Sequence, residues 1–198
     1  MTPLPGFHDD LEACRAEAWR LLAEGARRNR TGFHTVALAT IDAHARPQVR
    51  TVVLREADAC ARRLRFHCDR RTAKAAEIAA TGLAALHGYD AASKVQIRAS
   101  GEARLHTGDA LADAAWAGSL AMSQVVYGIA PAPGAVIPAG SGYALPEDDA
   151  VIAAGRANFA AVTIAVETLE FLYLDRRGHR RARWTWEGAE WAGAWLVP

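Results

Sequence analysis

The run Arg50-Thr51-Val52-Val53-Leu54-Arg55 puts a guanidinium at each end of a short apolar stretch. Read as a strand, its alternation sends Arg50, Val52 and Leu54 to one face and Thr51, Val53 and Arg55 to the other. A cation sharing a buried face with Val and Leu is costly unless an anion or a set of hydrogen bonds answers it. Something anionic is therefore expected beside Arg50. Further along, Arg71, Thr72 and Lys74 stand at the start of a helical pattern, where free backbone N–H groups and the helix dipole favour a phosphate. The two groups could converge on one phosphate; apart, they would be two solvated basic ends, the ordinary state of surface charge.

Other chemistry finds little support. The histidines at 8, 34, 44, 67, 87, 106 and 179 show no metal-ligand spacing and have no Cys or carboxylate cluster beside them, so no metal site is expected. No nucleophile elbow, Walker loop or dinucleotide-binding glycine motif occurs. His67 and Cys68 are adjacent, but neighbours on a strand face opposite ways and cannot pair as base and nucleophile. No general base is assignable, so the catalytic residues are left open. Trp116, Trp184, Trp186, Trp191 and Trp195 could wall an aromatic pocket, though tryptophans on strands are more often simple core.

The elements that must position these residues follow from periodicity. Asp9 or Asp10 can cap a helix carrying Leu11, Cys14, Ala18, Leu21 and Leu22 on one stripe, and Arg27 and Arg28 read as its solvated end. Strands are expected over 33–41, 49–55, 62–68, 83–89 and 95–105, with a bulge at Ser100-Gly101. A helix over 71–80 is capped at Thr72 and closed by Gly82, and a second runs from about Asp109 to Met122. Prolines and glycines make 127–147 a loop, either a lid or a surface excursion. A helix over 148–158 then precedes strands at 159–166, 169–174, 180–186 and 191–197, with turns at Glu167, Arg177-Gly178 and Gly188. Short strands in a meander with few helices point to a closed or partly closed antiparallel barrel.

Composition bounds the rest. The 198 residues (21.2 kDa) fit one domain spanning 1–198. Although 51% of residues are hydrophobic, 45 are alanine, so the large apolar side chains are fewer than that figure implies, yet still enough for a globule. A net charge of +1 supplies no field to hold nucleic acid. Three cysteines without a C-x-x-C pair, and a start without a basic and then apolar stretch, lead to the expectation of a reducing cytoplasm. No apolar run is long enough for a membrane helix.

These residues resemble the pyridoxamine 5′-phosphate oxidase family and its wider FMN-binding split-barrel superfamily. The likeness runs through 35–42, Arg46-Pro47, 50–55, Phe66-His67-Cys68-Asp69, Arg71-Thr72-Ala73-Lys74-Ala75, Gln96, 101–105, Ser123-Gln124, Val166 to Phe171, Arg183-Trp184 and the closing Trp195-Leu196-Val197-Pro198. It implies a mainly β (α+β) split barrel with a few peripheral helices, forming a homodimer with FMN between subunits. By that resemblance Arg50 and Lys74 grip the cofactor phosphate, with Arg71 and Thr72 assisting. Thr51 and the backbone of Val52, Val53 and Leu54 line the flavin, while Arg55, His67, Cys68 and Gln96 contact its ring or ribityl chain, and Arg183, with Ser123 or Gln124, completes the set from the other half of the sequence. The activity implied is hydride transfer between a small substrate and flavin N5. An FMN carrier or sensing dimer, or a deazaflavin reductase on the same barrel, are the alternatives. Departures bear on the substrate: Ala73, Ser119, Leu172, Ala182 and Trp195 replace family residues, several of which hold a phosphorylated vitamin B6 substrate, so that substrate is not expected. Loss of Arg50 is expected to weaken cofactor binding and leave the fold intact.

Overall fold

In a computed structural model describing residues 3–198, eight strands and five α-helices follow one another along the chain. Met1 and Thr2 lie outside the described residues. Helix α1 (Leu11–Arg27) is capped by Asp10, whose carboxylate accepts from Ala13 N–H at 2.9 Å, and it buries Cys14, Ala18, Trp19, Leu21 and Leu22. Strands β1 (Thr35–Ile41), β2 (Pro47–Asp58) and β3 (Arg63–Asp69) form an antiparallel meander. Helix α2 (Ala73–Thr81) follows, ended by Gly82 at φ 65°, a left-handed position that glycine takes without strain. Then come β4 (Leu83–Asp90), β5 (Val95–His106), α3 (Ala110–Ala117), α4 (Ala121–Gln124), α5 (Asp149–Ala154), β6 (Phe159–Tyr173), β7 (Arg180–Trp186) and β8 (Trp191–Leu196).

The strand order is β3-β2-β1-β4-β5-β6-β7-β8, and β3 also pairs with β6. That extra pairing closes six strands into an antiparallel barrel, with β7 and β8 extending the sheet beyond it. Val36, Leu38, Val52, Leu54, Leu64, Phe66, Ile97, Ile164 and Phe171 fill the interior and are nearly inaccessible. The register pairs Val36 with Val52 and Leu54 with Phe66, so the inward faces of neighbouring strands agree.

Two expectations are corrected. The turn at Glu167 is instead a bulge within one 15-residue strand, β6: Ser100 pairs with Thr168 but Gly101 with Val166, leaving Glu167 as the extra residue. The bulge expected at Ser100-Gly101 is thus present, with its additional residue on the opposite strand. A Cβ on Gly101 would lie 1.9 Å from the Ala165 carbonyl oxygen, so only glycine lets the strands meet there. The helix expected from Asp109 to Met122 breaks at Gly118: α3 ends there, Ser119 Oγ donates back to the Ala115 carbonyl at 2.8 Å, and α4 restarts after Leu120. Among the described residues no helix is long and apolar enough to cross a membrane, and no group of three or more His, Cys, Asp or Glu is placed to hold a metal.

Candidate flavin site

Arg50 lies opposite Leu38 on β1 and points to the interior face, as alternation requires. Its anion is internal. Arg50 Nη2 lies 2.7 Å from Glu77 Oε2 on α2, Arg50 Nη1 donates to Thr40 Oγ1, and that hydroxyl donates to Glu77. The side chains are 23% (Arg50) and 9% (Glu77) exposed, so the pair closes the barrel end beneath α2. Losing Arg50 therefore strands a buried carboxylate and costs stability as well as a cofactor contact.

Lys74 lies three residues before Glu77 and so shares its helix face. Arg50 thus reaches α2 through Glu77, on the helix that also carries Lys74. Lys74 is half-buried and, among the described residues, makes no hydrogen bond or ion pair. Thr72 is the N-cap residue but offers no side-chain cap, its hydroxyl donating instead to the Asp69 carbonyl at 2.6 Å. The first turn of α2 therefore combines uncapped N–H groups with an unanswered ammonium, which suits a phosphate. Arg71 turns the other way: it lies 2.6 Å from Asp69 and donates to the Ile129 carbonyl at 3.1 Å, anchoring the base of the 127–147 loop.

Arg55 occupies a second bulge. Leu54 pairs with Phe66 and Glu56 with Arg65, so Arg55 is the extra residue, and it is exposed on the outer face. The bulge puts Arg55 beside Arg65 and His67, the outward residues of β3, against the broken end of α3. There they line a cavity of about 240 Å³ with Ala26, Ala115, Ser119 and Ser123. Arg65 Nη2 pairs with Glu56 at 3.0 Å, but Arg65 Nε and His67 Nε2 are buried without a hydrogen-bond partner. Burial, then the charges of Arg65 and Arg55, pull the His67 pKa down to about 4, so the ring is neutral at pH 7. Cys68 faces inward, and burial pushes its thiol up to about 11. Only its backbone is available to a ligand outside the barrel. Thr51 and Val53 face outward with Arg55, whereas Val52 and Leu54 bury their side chains.

Gln96 and Arg183 lie elsewhere. Gln96 on β5 pairs with Leu172, and Arg183 on β7 pairs with Glu170. Arg183 reaches Glu170 at 2.7 Å, joined by Arg181 at 3.1 Å and Arg98 at 3.4 Å. Burial raises the Glu170 pKa, but the bonds from Arg183 and Arg181 outweigh it and hold the carboxyl below its usual range. In the six-stranded ring β2 and β5 are three strands apart in either direction. Outward residues of β2 and β5 therefore point away from opposite sides of a barrel roughly 12 Å across, from strand spacing and tilt.

Sequence reasoning missed Glu77, Glu170 and Arg65. Arg65 had a signal, since Arg63, Arg65 and His67 alternate outward on β3. Glu77 and Glu170 had none beyond being carboxylates, because their partners are set by tertiary packing.

Residues 16–107 match the family model described as pyridoxamine 5′-phosphate oxidase, FMN-binding domain. The structure is similar to PhzG of Burkholderia lata 383, crystallised with tetrahydrophenazine-1-carboxylic acid: 22% identity, TM-score 0.73, covering 100% of this chain and 99% of that one. It is also similar to a pyridoxamine 5′-phosphate oxidase-related, FMN-binding protein of Nostoc punctiforme PCC 73102: 21% identity, TM-score 0.68, all of both chains covered. No curated protein matches the sequence. The structural likenesses show the split-barrel fold, and the family-model match bears out the resemblance read from the sequence.

Proposed function

We propose, for a chain whose residues 16–107 match the model of the pyridoxamine 5′-phosphate oxidase FMN-binding domain, that it is an FMN-dependent oxidoreductase working as a homodimer on a small substrate. The observation that carries this reading is that Arg55 on β2 and Gln96 on β5 leave the six-stranded ring on opposite sides, with Arg183 beyond the ring on β7. The Lys74, Arg50, Arg55 and His67 group comes from one subunit, and Gln96 and Arg183 come from its partner. Lys74 and the first turn of α2 hold the phosphate, with Arg50 contributing the part of its charge that Glu77 leaves. Bound FMN supplies a two-electron acceptor at N5. The cavity of Arg55, Arg65 and His67 receives the polar end of the substrate.

A second copy also accounts for the outward face between these groups. Ala37, Ala39 and Ile41 on β1, Val49 and Val53 on β2, and Leu83 and Ala85 on β4 occupy positions that a solvated antiparallel sheet fills with polar side chains. Ile41, Val49 and Leu83 are 44%, 69% and 52% exposed in the single chain. A contiguous apolar face of this kind marks an interface. The free thiols of Cys14, Cys60 and Cys68 accord with a reducing cytoplasm.

The test is the visible spectrum of the purified protein, its sedimentation, and anaerobic titration with small amines and nicotinamide donors. Bound flavin on a dimer, bleached by a donor, is the expected result. Flavin inert to every donor would favour the carrier, and a monomer that binds no flavin would overturn the reading.

A further inference from the structure

One large hollow takes no part in this reading. It is an open groove of about 840 Å³ between α1, the β2–β3 turn and the β7–β8 hairpin. The last turn of α1 separates it from the smaller cavity: Ala26 lines that cavity, whereas Arg27 lines the groove. One wall is aromatic. Trp186 and Trp191 meet edge to face, with centroids 5.5 Å apart and planes at 72°, and the Arg62 guanidinium lies 4.0 Å over the Trp186 ring. The lining charge is unbalanced, with Arg15, Arg20, Arg27 and Arg62 against Glu12. Arg15 pairs with Glu12, and Arg20 with Glu17 and Glu24. Arg27 and Arg62 have no carboxylate partner among the described residues: Arg27 Nε donates to the Ala23 carbonyl at 3.2 Å and Arg62 Nη1 to the Val166 carbonyl at 2.8 Å.

Arg62 stands in a left-handed conformation, φ 52°, where glycine or asparagine would turn the chain at less cost. A tight turn therefore does not by itself account for arginine at this place. What arginine adds is a flat cation seated on an indole, with donors to spare. Flat walls bind flat ligands by stacking, guanidinium groups select carboxylates, and the volume falls in the usual range for small-molecule sites.

We propose that this groove binds a small planar aromatic carboxylate, stacked on the Trp186–Trp191 corner with its carboxylate toward Arg62 and Arg27. The site does not depend on the flavin reading, since it shares no residue with the proposed cofactor set.

The test is calorimetric titration with 2-naphthoate and with neutral 2-naphthamide, in the absence and the presence of saturating FMN. Arg62→Gly, which suits the left-handed backbone and so keeps the fold, and Arg27→Gln, at an exposed helix end, serve as variants. Expected are saturable one-to-one binding of naphthoate unaffected by FMN, at least tenfold weaker binding of the amide, and at least tenfold weaker binding of naphthoate to Arg62→Gly. Arg27→Gln should weaken it severalfold. Cys60, exposed on the groove wall, should be alkylated more slowly in the presence of naphthoate. Absence of saturable binding, equal affinity for the amide, indifference to both substitutions or displacement by FMN would each overturn the proposal.

Discussion

Replacing Arg50 by alanine separates the two roles this residue could have. In the structure it answers Glu77, whose side chain is only 9% exposed. Removing one partner of a buried ion pair costs about 3–5 kcal/mol, because the other charge is left uncompensated. Here the Thr40 hydroxyl still reaches Glu77, and the 23% exposure of Arg50 means that water already screens part of the pair. About 2 kcal/mol is the reasonable expectation on both grounds. For a chain of this size that lowers Tm by about 4–8 °C. Replacing both partners, Arg50→Met with Glu77→Gln, removes the stranded charge and should return stability to within about 1 kcal/mol of the parent. Lys74→Ala provides the contrast: with no partner to strand, it should move stability by less than about 0.5 kcal/mol. It should nevertheless weaken FMN binding tenfold to a hundredfold, the worth of one charge-assisted contact of about 1.5–3 kcal/mol. Thermal unfolding of the flavin-free proteins and fluorescence titration with FMN supply the two readouts. An Arg50→Ala protein as stable as the parent, or a double variant as unstable as the single, would refute the role given to Glu77.

The remaining expectations concern His67, the thiols and the bulge. His67 titrates near 6.5 in an unfolded chain and at about 4 in the fold, so the unfolded state takes up the proton first as pH falls. Stability should then decline from about pH 6.5 down to about pH 4 and level off below, and His67→Asn should flatten that part of the curve; an NMR midpoint for His67 near its ordinary value would contradict its burial. Cys60 is exposed while Cys14 and Cys68 are buried, with thiols pushed up to about 12 and 11, so a small alkylating reagent at pH 8 should modify Cys60 alone in the native protein. Rapid labelling of a second thiol, read by peptide mass spectrometry, would count against the packing of α1 or β3. Gly101→Ala should cost at least about 2 kcal/mol, since the obstructing Ala165 oxygen is backbone that cannot swing aside; urea unfolding measures it, and a smaller loss would mean that the β5–β6 bulge can shift.

What could be read from the sequence was whatever is decided locally. The helix cap at Asp10, the β2 alternation and the glycine stop at Gly82 depend on residues within a few positions of one another, and the structure has them where periodicity put them. Glu167 misled because a polar residue amid apolar neighbours looks like a turn, whereas a bulge permits the same interruption without ending the strand. Gly118 was hidden in a run of alanines whose helical propensity masked the break. The site shows the same division. Arg50 and Arg183 were visible, but the carboxylates that answer them were not: Glu77 is 27 residues from Arg50 and Glu170 is 13 from Arg183, and only tertiary packing brings each pair together.

The same partners explain why the proposed site needs two subunits. Within one chain, Arg98 of β5 and Arg181 and Arg183 of β7 are gathered on Glu170, and Glu77 answers Arg50. Arg98, Arg181 and Arg183 against a single carboxylate leave a local surplus of two positive charges on β5 and β7. Exposed charges separated by more than about 8–10 Å are screened at physiological salt, so that surplus assists a phosphate only where assembly brings it close. A second barrel placed against the apolar β1–β4 face would bring its own Arg183 side toward the first barrel's Lys74 side. Cofactor binding and assembly would then be thermodynamically linked, so dilution should weaken FMN affinity and added FMN should drive dimer formation. Sedimentation across a concentration series with and without FMN reads that linkage, and an affinity independent of protein concentration in a range where the dimer dissociates would break the argument.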